Sequence, residues 1–302
     1  MHAEHRSAWK NAKHAAQWIS TLSAYAFPIV GDLRVDHIET PEILRVLSPI
    51  WLTKPETARR LKQRIRTVLD WAKAAGFRSG ENPVNGVAKG LPRQPDRKQH
   101  HSALPYAEIP SFIRALHASH VGEPIMFAFE FLILTATRTS EVLQAKWPEI
   151  DTEQAVWVIP AERMKAGRDH RVPLAGRCLE ILARAQELAA GSDYVFPGRS
   201  ARKPMSNMVF LMTLRRMNLK VTAHGFRSAF RDWAAERTNF PREVCEMSLA
   251  HTIKDKTEAA YRRGDLLDRR RLLMNAWGSY VTTGSGQIVR LQTKHVAAKP
   301  SL

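Results

Sequence analysis

The sequence predicts a mainly α-helical chain with one small antiparallel β-sheet, an α+β fold shared between a helical domain and a mixed one. Three observations lead there. Residues from about Pro55 to Ala75 carry an apolar stripe at helical spacing, two short β-like runs flank a basic tip between Ala155 and Leu174, and 302 residues exceed one ordinary domain of about 150.

The first domain, residues 1–90, reads as helical. Thr40 before Pro41 and Glu42 marks a helix start, with a capping oxygen, a proline in the first turn and a carboxylate against the dipole. In the helix from Pro55, Ala58, Leu61, Ile65, Val68 and Ala72 form the stripe, while Arg59, Arg60, Lys62, Arg64 and Arg66 surround it; Gly76 stops it. Trp9, Trp18, Trp51 and Trp71 add apolar mass for a compact bundle behind this basic face. Residues 91–104 are rich in Pro, Gly and charge, as an extended basic linker is.

The second domain, 105–282, mixes element types. Glu123 to Ala136 is almost continuously apolar, as a buried helix would be. The runs 155–159 and 170–174 read as a hairpin whose tip carries Arg163, Lys165 and Arg168. Helical patterns resume around Cys178 to Ala189, Met208 to Met217, His224 to Arg237 and Thr257 to Tyr280. The tail, 283–302, reads as flexible, with Ile288, Val289 and Leu291 able to dock on a neighbour.

Composition narrows the partners. A formal net charge of +17 points to a polyanion, because Lys and Arg release counterions when they meet a phosphate backbone. A ribosome-associated or merely basic protein would share that charge. Cys178 and Cys245 are too few for a disulfide framework and fit a reducing cytoplasm. No run of about 18 apolar residues occurs and no signal-peptide core opens the chain, which sets aside membrane and secreted classes.

One succession of polar groups carries chemistry: Arg138, Lys165, His224, Arg227, His251 and Tyr261. They are what breaking a phosphodiester without a metal requires. A phenol attacks phosphorus, cations hold the charge on the non-bridging oxygens, and an ammonium hands a proton to the departing sugar oxygen. No carboxylate cluster suited to Mg²⁺ accompanies them, so neither metal nor cofactor is expected. His224 and Arg227, three apart in a helical pattern, share a face. Glu141 is placed to cap a helix or brace the Arg138 guanidinium. Tyr261 sits in a basic setting with Arg262 and Arg263. Each residue alone also has a plainer reading: an interior ion pair, a solvated turn lysine, a helix-terminal histidine or an aromatic anchor.

Taken in order, these motifs resemble the tyrosine recombinases, most closely the phage-type integrases of genomic islands. The resemblance runs through nearly the whole chain: Lys54 to Arg60 and Asn82-Pro83 in the first domain, then Leu134 to Glu141, Ile159 to Lys165, Ala223 to Arg227, Leu249 to His251 and Ala260 to Arg263. It implies a helical core-binding domain and a catalytic domain closed around duplex DNA. Tyr261 would form a 3′-phosphotyrosine, Arg138 and Arg227 would clamp the scissile phosphate, and Lys165 would protonate the 5′ oxygen. His224 would assist as base or phosphate donor, His251 would stabilise the transition state, and Glu141 would buttress the site. Arg59, Arg60, Arg64, Arg163, Arg168, Arg262 and Arg263 are DNA-binding candidates. The implied partners are double-stranded attachment sites, a homotetramer synapsed on DNA and DNA-bending accessory proteins, in the cytoplasm with the nucleoid. A type IB topoisomerase-like relaxing enzyme and a DNA-binding remnant are the alternatives. Two positions depart from the pattern, Ala136 and Ala250, where family members often have glycine. Such integrases usually begin with a further domain for arm-type sites, whereas this chain starts in text resembling the core-binding region.

Overall fold

The computed structural model describes residues 12–94, 102–251 and 264–284. The chain forms two compact units, 1–98 and 99–302, and is mainly helical with a three-stranded antiparallel sheet. Among the described residues no helix is long and apolar enough to cross a membrane.

The first unit is built on α1 (Ala12–Tyr25), α2 (Thr40–Trp51) and α3 (Pro55–Ala74), with short turns at Phe27–Val30 and Val87–Gly90. Trp18, Leu22, Leu47, Leu61 and Ile65 close its core. The start of α2 differs from expectation by one residue. Glu39 is the cap, exchanging hydrogen bonds with Glu42 in a capping box, and the Thr40 hydroxyl instead donates to the Pro83 carbonyl at 3.0 Å. α3 ends where expected, with Gly76 at φ 76°, a conformation that costs an L-residue about 1–2 kcal/mol. Part of the expected linker is held against this unit: the Trp51 indole donates to Pro92 O at 2.7 Å, and Gln94 donates to Trp51 O at 2.7 Å.

The second unit surrounds α5 (Glu123–Thr135), which is buried on all sides, as its unbroken apolar run requires. Around it lie α4 (Ile109–His117), α6 (Thr139–Leu143), α7 (Gly176–Leu188), α8 (Val209–Arg216), α9 (Gly225–Arg237), α10 (Arg242–Ser248) and α11 (Leu267–Thr283). Phe112, Phe129, Phe210 and Phe226 pack ring to ring, and a second aromatic group joins Phe230, Trp233, Trp277 and Tyr280. The sheet runs β1 (Ile150–Asp151), β2 (Val156–Ile159), β3 (His170–Pro173), with Ile159 opposite His170. The residues between β2 and β3 hold a single 3₁₀ turn, Ala161–Arg163, and reverse through Gly167 at φ 64°. The helix expected from Thr257 is described from Leu267 onward; its earlier part, and the tail beyond residue 284, lie outside the described residues.

Cys178 and Cys245 are both buried, and burial pushes the Cys178 thiol up to about 12, so it stays protonated and packs as a small apolar residue.

Candidate active site

The centre of the site is made by helix ends. α5 terminates at Ala136, a non-glycine residue in the left-handed region at φ 49°, and the turn that follows brings Arg138 to the start of α6. Glu141, in the first turn of α6, accepts from the Arg138 backbone N–H and from its guanidinium, both at 2.7 Å. The carboxylate is buried while the arginine is partly exposed, so the brace holds the cation at the edge of the core.

A second helix end is constructed the same way. α10 finishes at Ser248, Ala250 adopts φ 49°, and the reversal leads into His251. Arg227, buried on the first turn of α9, connects the two ends: its guanidinium donates to the Ala136 carbonyl and, at 2.6 Å, to the Leu249 carbonyl. One side chain thus ties down the residues beside Arg138 and His251. Its Nε is buried without a protein partner, as are those of Arg78, Arg163 and Arg270. Burial, and then the neighbouring positive charge of Arg138, bring the Arg227 guanidinium down to about 10, against the attraction of Glu141. The two guanidiniums of the predicted clamp therefore belong to one cluster, close enough to repel.

A histidine that motif spacing did not single out joins them. His170 begins β3 and alternates with Val172 toward the interior. Burial, then the charges of Arg270, Arg227 and Arg138, push its imidazole down to about 3, with a hydrogen bond to the Ser248 backbone acting the other way. At neutral pH it is an uncharged ring among three cations. The sequence signal that could have found it is its alternation with Val172 in the 170–174 run.

The remaining sequence-predicted residues fall as follows. His224 immediately precedes α9, and Gly225 lets residues 102–103 cross over that helix start: a Cβ there would lie 2.5 Å from Ser102 O and 2.7 Å from Ala103 Cα. Lys165 is exposed in the β2–β3 connection. His251 places Nδ1 2.6 Å from Glu246. Tyr261, Arg262 and Arg263 lie outside the described residues.

Two cations expected on a DNA-facing surface are used internally. Arg64 is buried in the first unit and donates to Gln17 O at 2.8 Å, because its place on α3 faces the core instead of the basic side. Arg163 is paired with Glu149 and donates to Glu141 O at 3.3 Å, so it links the hairpin connection to the Arg138 brace. Arg59, Arg60 and Arg168 are exposed, the first two beside Glu56. Arg59 also lines a groove of about 640 Å³ with Lys62, Arg66 and Arg93, cations that share the wall with Trp51 and Leu91. The basic face of α3 is thus real but does not include Arg64.

Comparison with known proteins follows the same division. Residues 1–87 match the phage integrase central domain, and residues 103–266 match the phage integrase family. The prophage integrases IntA and IntZ of Escherichia coli K12 are 33% and 32% identical to this chain. Each alignment covers 89% of the chain, but only 65% and 66% of the relative, so the chain spans less than two thirds of their length. The integrase of enterobacteria phage P4 is 27% identical over 92% of the chain and 67% of its own length. Among solved structures, a lambda integrase (75–356) dimer bound to a COC′ core site superposes with a TM-score of 0.67 at 19% identity, covering 83% of this chain and 92% of that one. A lambda integrase tetramer bound to a Holliday junction gives 0.67 at 18% identity, covering 84% and 76%. At these identities the superpositions establish the fold.

Proposed function

The chain belongs to the phage integrase family, and on that premise we propose that it is a site-specific tyrosine recombinase that cuts and rejoins DNA for integration of a mobile element. The observation that carries this reading is the single cluster of Arg138 and Arg227, held at two helix ends by Glu141 and by the Ala136 and Leu249 carbonyls. Two fixed guanidiniums suit the non-bridging oxygens of one phosphate, whose charge grows as a fifth oxygen approaches phosphorus.

In the proposed reaction the Tyr261 phenol oxygen attacks the scissile phosphorus and forms the new P–O bond, the phosphorus keeps its 3′ oxygen, and the bond to the 5′ oxygen breaks as that oxygen leaves with a proton from Lys165. His224 and His251 contribute hydrogen bonds to the phosphate or take the phenol proton. The covalent link conserves the phosphodiester, so rejoining to a second strand consumes no nucleotide triphosphate. The exposed cations Arg59, Arg60 and Arg168, with Arg262 and Arg263, are proposed to track the DNA backbone. By analogy with the lambda integrase tetramer on a Holliday junction, four copies would act together on paired attachment sites, with DNA-bending proteins assisting. Work on chromosomal DNA would place the protein in the cytoplasm with the nucleoid.

The test is a suicide DNA substrate that traps the covalent adduct. The wild-type chain should form a 3′-linked protein–DNA product and Tyr261→Phe should form none while retaining most DNA affinity, since one oxygen is lost. An adduct formed by the phenylalanine variant would remove Tyr261 from this role.

A further inference from the structure

Glu246 receives no role from the reaction as described, yet it is in contact with one of its groups. It lies on α10, accepts from Arg231 Nε of α9 at 2.7 Å through one oxygen, and meets His251 Nδ1 at 2.6 Å through the other. Arg242 Nε stands 3.8 Å from the first oxygen. The backbone repeats the connection, since His251 N–H donates to Glu246 O at 3.0 Å, made possible by the left-handed Ala250 between them. Burial works to raise the Glu246 carboxyl, but the hydrogen bonds from Arg231 and His251 leave it below the usual carboxylate range, so it is ionised at neutral pH.

An ionised carboxylate only accepts hydrogen bonds. The ring nitrogen facing it at 2.6 Å must therefore carry hydrogen, which leaves Nε2 as the atom presented to substrate: bare, it accepts the phenol proton, and it donates to a phosphate oxygen once it holds that proton. Arg231 fixes the carboxylate in turn, so two side chains on two helices, Arg231 of α9 and Glu246 of α10, determine the ring's rotation and tautomer. We propose that Glu246, backed by Arg231, is a positioning residue that locks His251 with Nε2 directed to the scissile phosphate. The role rests on the recombinase reading of His251, and its logic is that of a carboxylate orienting an imidazole in a catalytic triad.

Ring-nitrogen NMR on the full chain labelled with ¹⁵N-histidine, with the His251 signal identified by its loss in His251→Gln, reads the tautomer directly. Hydrogen on Nδ1 in the wild type is the expected result; a ring that carries hydrogen on Nε2 alone overturns the inference. In Glu246→Gln the side-chain amide both donates and accepts, so both tautomers should appear. Suicide-substrate cleavage should then fall about tenfold or more with DNA affinity unchanged, a loss of the size found when partners that orient metal-bound histidines are removed. Added to His251→Gln, the same substitution should cost nothing further. An equal loss in both backgrounds would mean that Glu246 serves only the fold. A wild-type chain that forms no adduct overturns the functional reading and the positioning role with it, whereas adduct formation with an unlocked ring overturns this inference alone.

Discussion

His170 makes the second unit sensitive to mild acid. In the unfolded chain its imidazole takes a proton near pH 6.5, whereas in the native unit burial and the charges of Arg270, Arg227 and Arg138 hold it down to about 3. Because the native value is the lower one, the unfolded state binds more protons throughout this interval. Stability is therefore complete above pH 6.5 and declines as pH falls toward 3. At pH 5 the unfolded ring lies about 1.5 pH units below its midpoint, and at about 1.4 kcal/mol per unit the native unit has lost about 2 kcal/mol. For a unit of this size that corresponds to a fall of about 4–8 °C in unfolding temperature. Thermal unfolding of wild type and His170→Gln at pH 7, 6 and 5 measures it. The wild type should lose this increment between pH 7 and 5, and the glutamine variant, which has no proton to gain, should not. Asp265 and Glu246, both held below the usual carboxylate range, titrate identically in the two proteins and cancel in the comparison. Parallel losses in the two proteins would refute the reasoning by showing that the native imidazole is as basic as the unfolded one.

Other expectations concern the backbone of the site. Ala136→Gly should stabilise the chain by about 0.5–1 kcal/mol in urea unfolding, since relief of the left-handed strain exceeds glycine's entropic cost; a lower midpoint would contradict the strain assigned to φ 49°. Gly225→Ala should destabilise by about 1–3 kcal/mol, because its Cβ would meet Ser102 O at 2.5 Å and force residues 102–103 off the helix start. A neutral outcome there would show that this crossing yields easily.

The sequence made the element types visible wherever one pattern dominated. The all-apolar text of α5, the amphipathic text of α3 and the runs of β2 and β3 each carry one period, and each folds as that period requires. Arg138 and Glu141 could be paired on paper because they are three residues apart. What could not be read were meetings between distant segments: Arg227 reaching the Ala136 carbonyl, Arg231 and His251 sharing Glu246, and Arg163 turning to Glu149. Arg64 turns inward, against the expectation from the stripe, for a related reason. A 20-residue helix packed on more than one side buries positions that a single-stripe pattern assigns to solvent. The cap falls at Glu39 although Thr40 is the better capping residue by type, because the Thr40 hydroxyl has its partner 43 residues away.

The two carbonyls held by Arg227 have a bearing on how inactive variants are read. Removing that guanidinium strands a pair of interior acceptors at about 1–3 kcal/mol each, so such a protein loses cohesion as well as charge. Position 227 is thus a poor choice for a catalytically dead control, since its silence would mix a loosened scaffold with loss of the proposed phosphate contact. The fastening also means that a displacement of either helix end reaches the other through a single planar group.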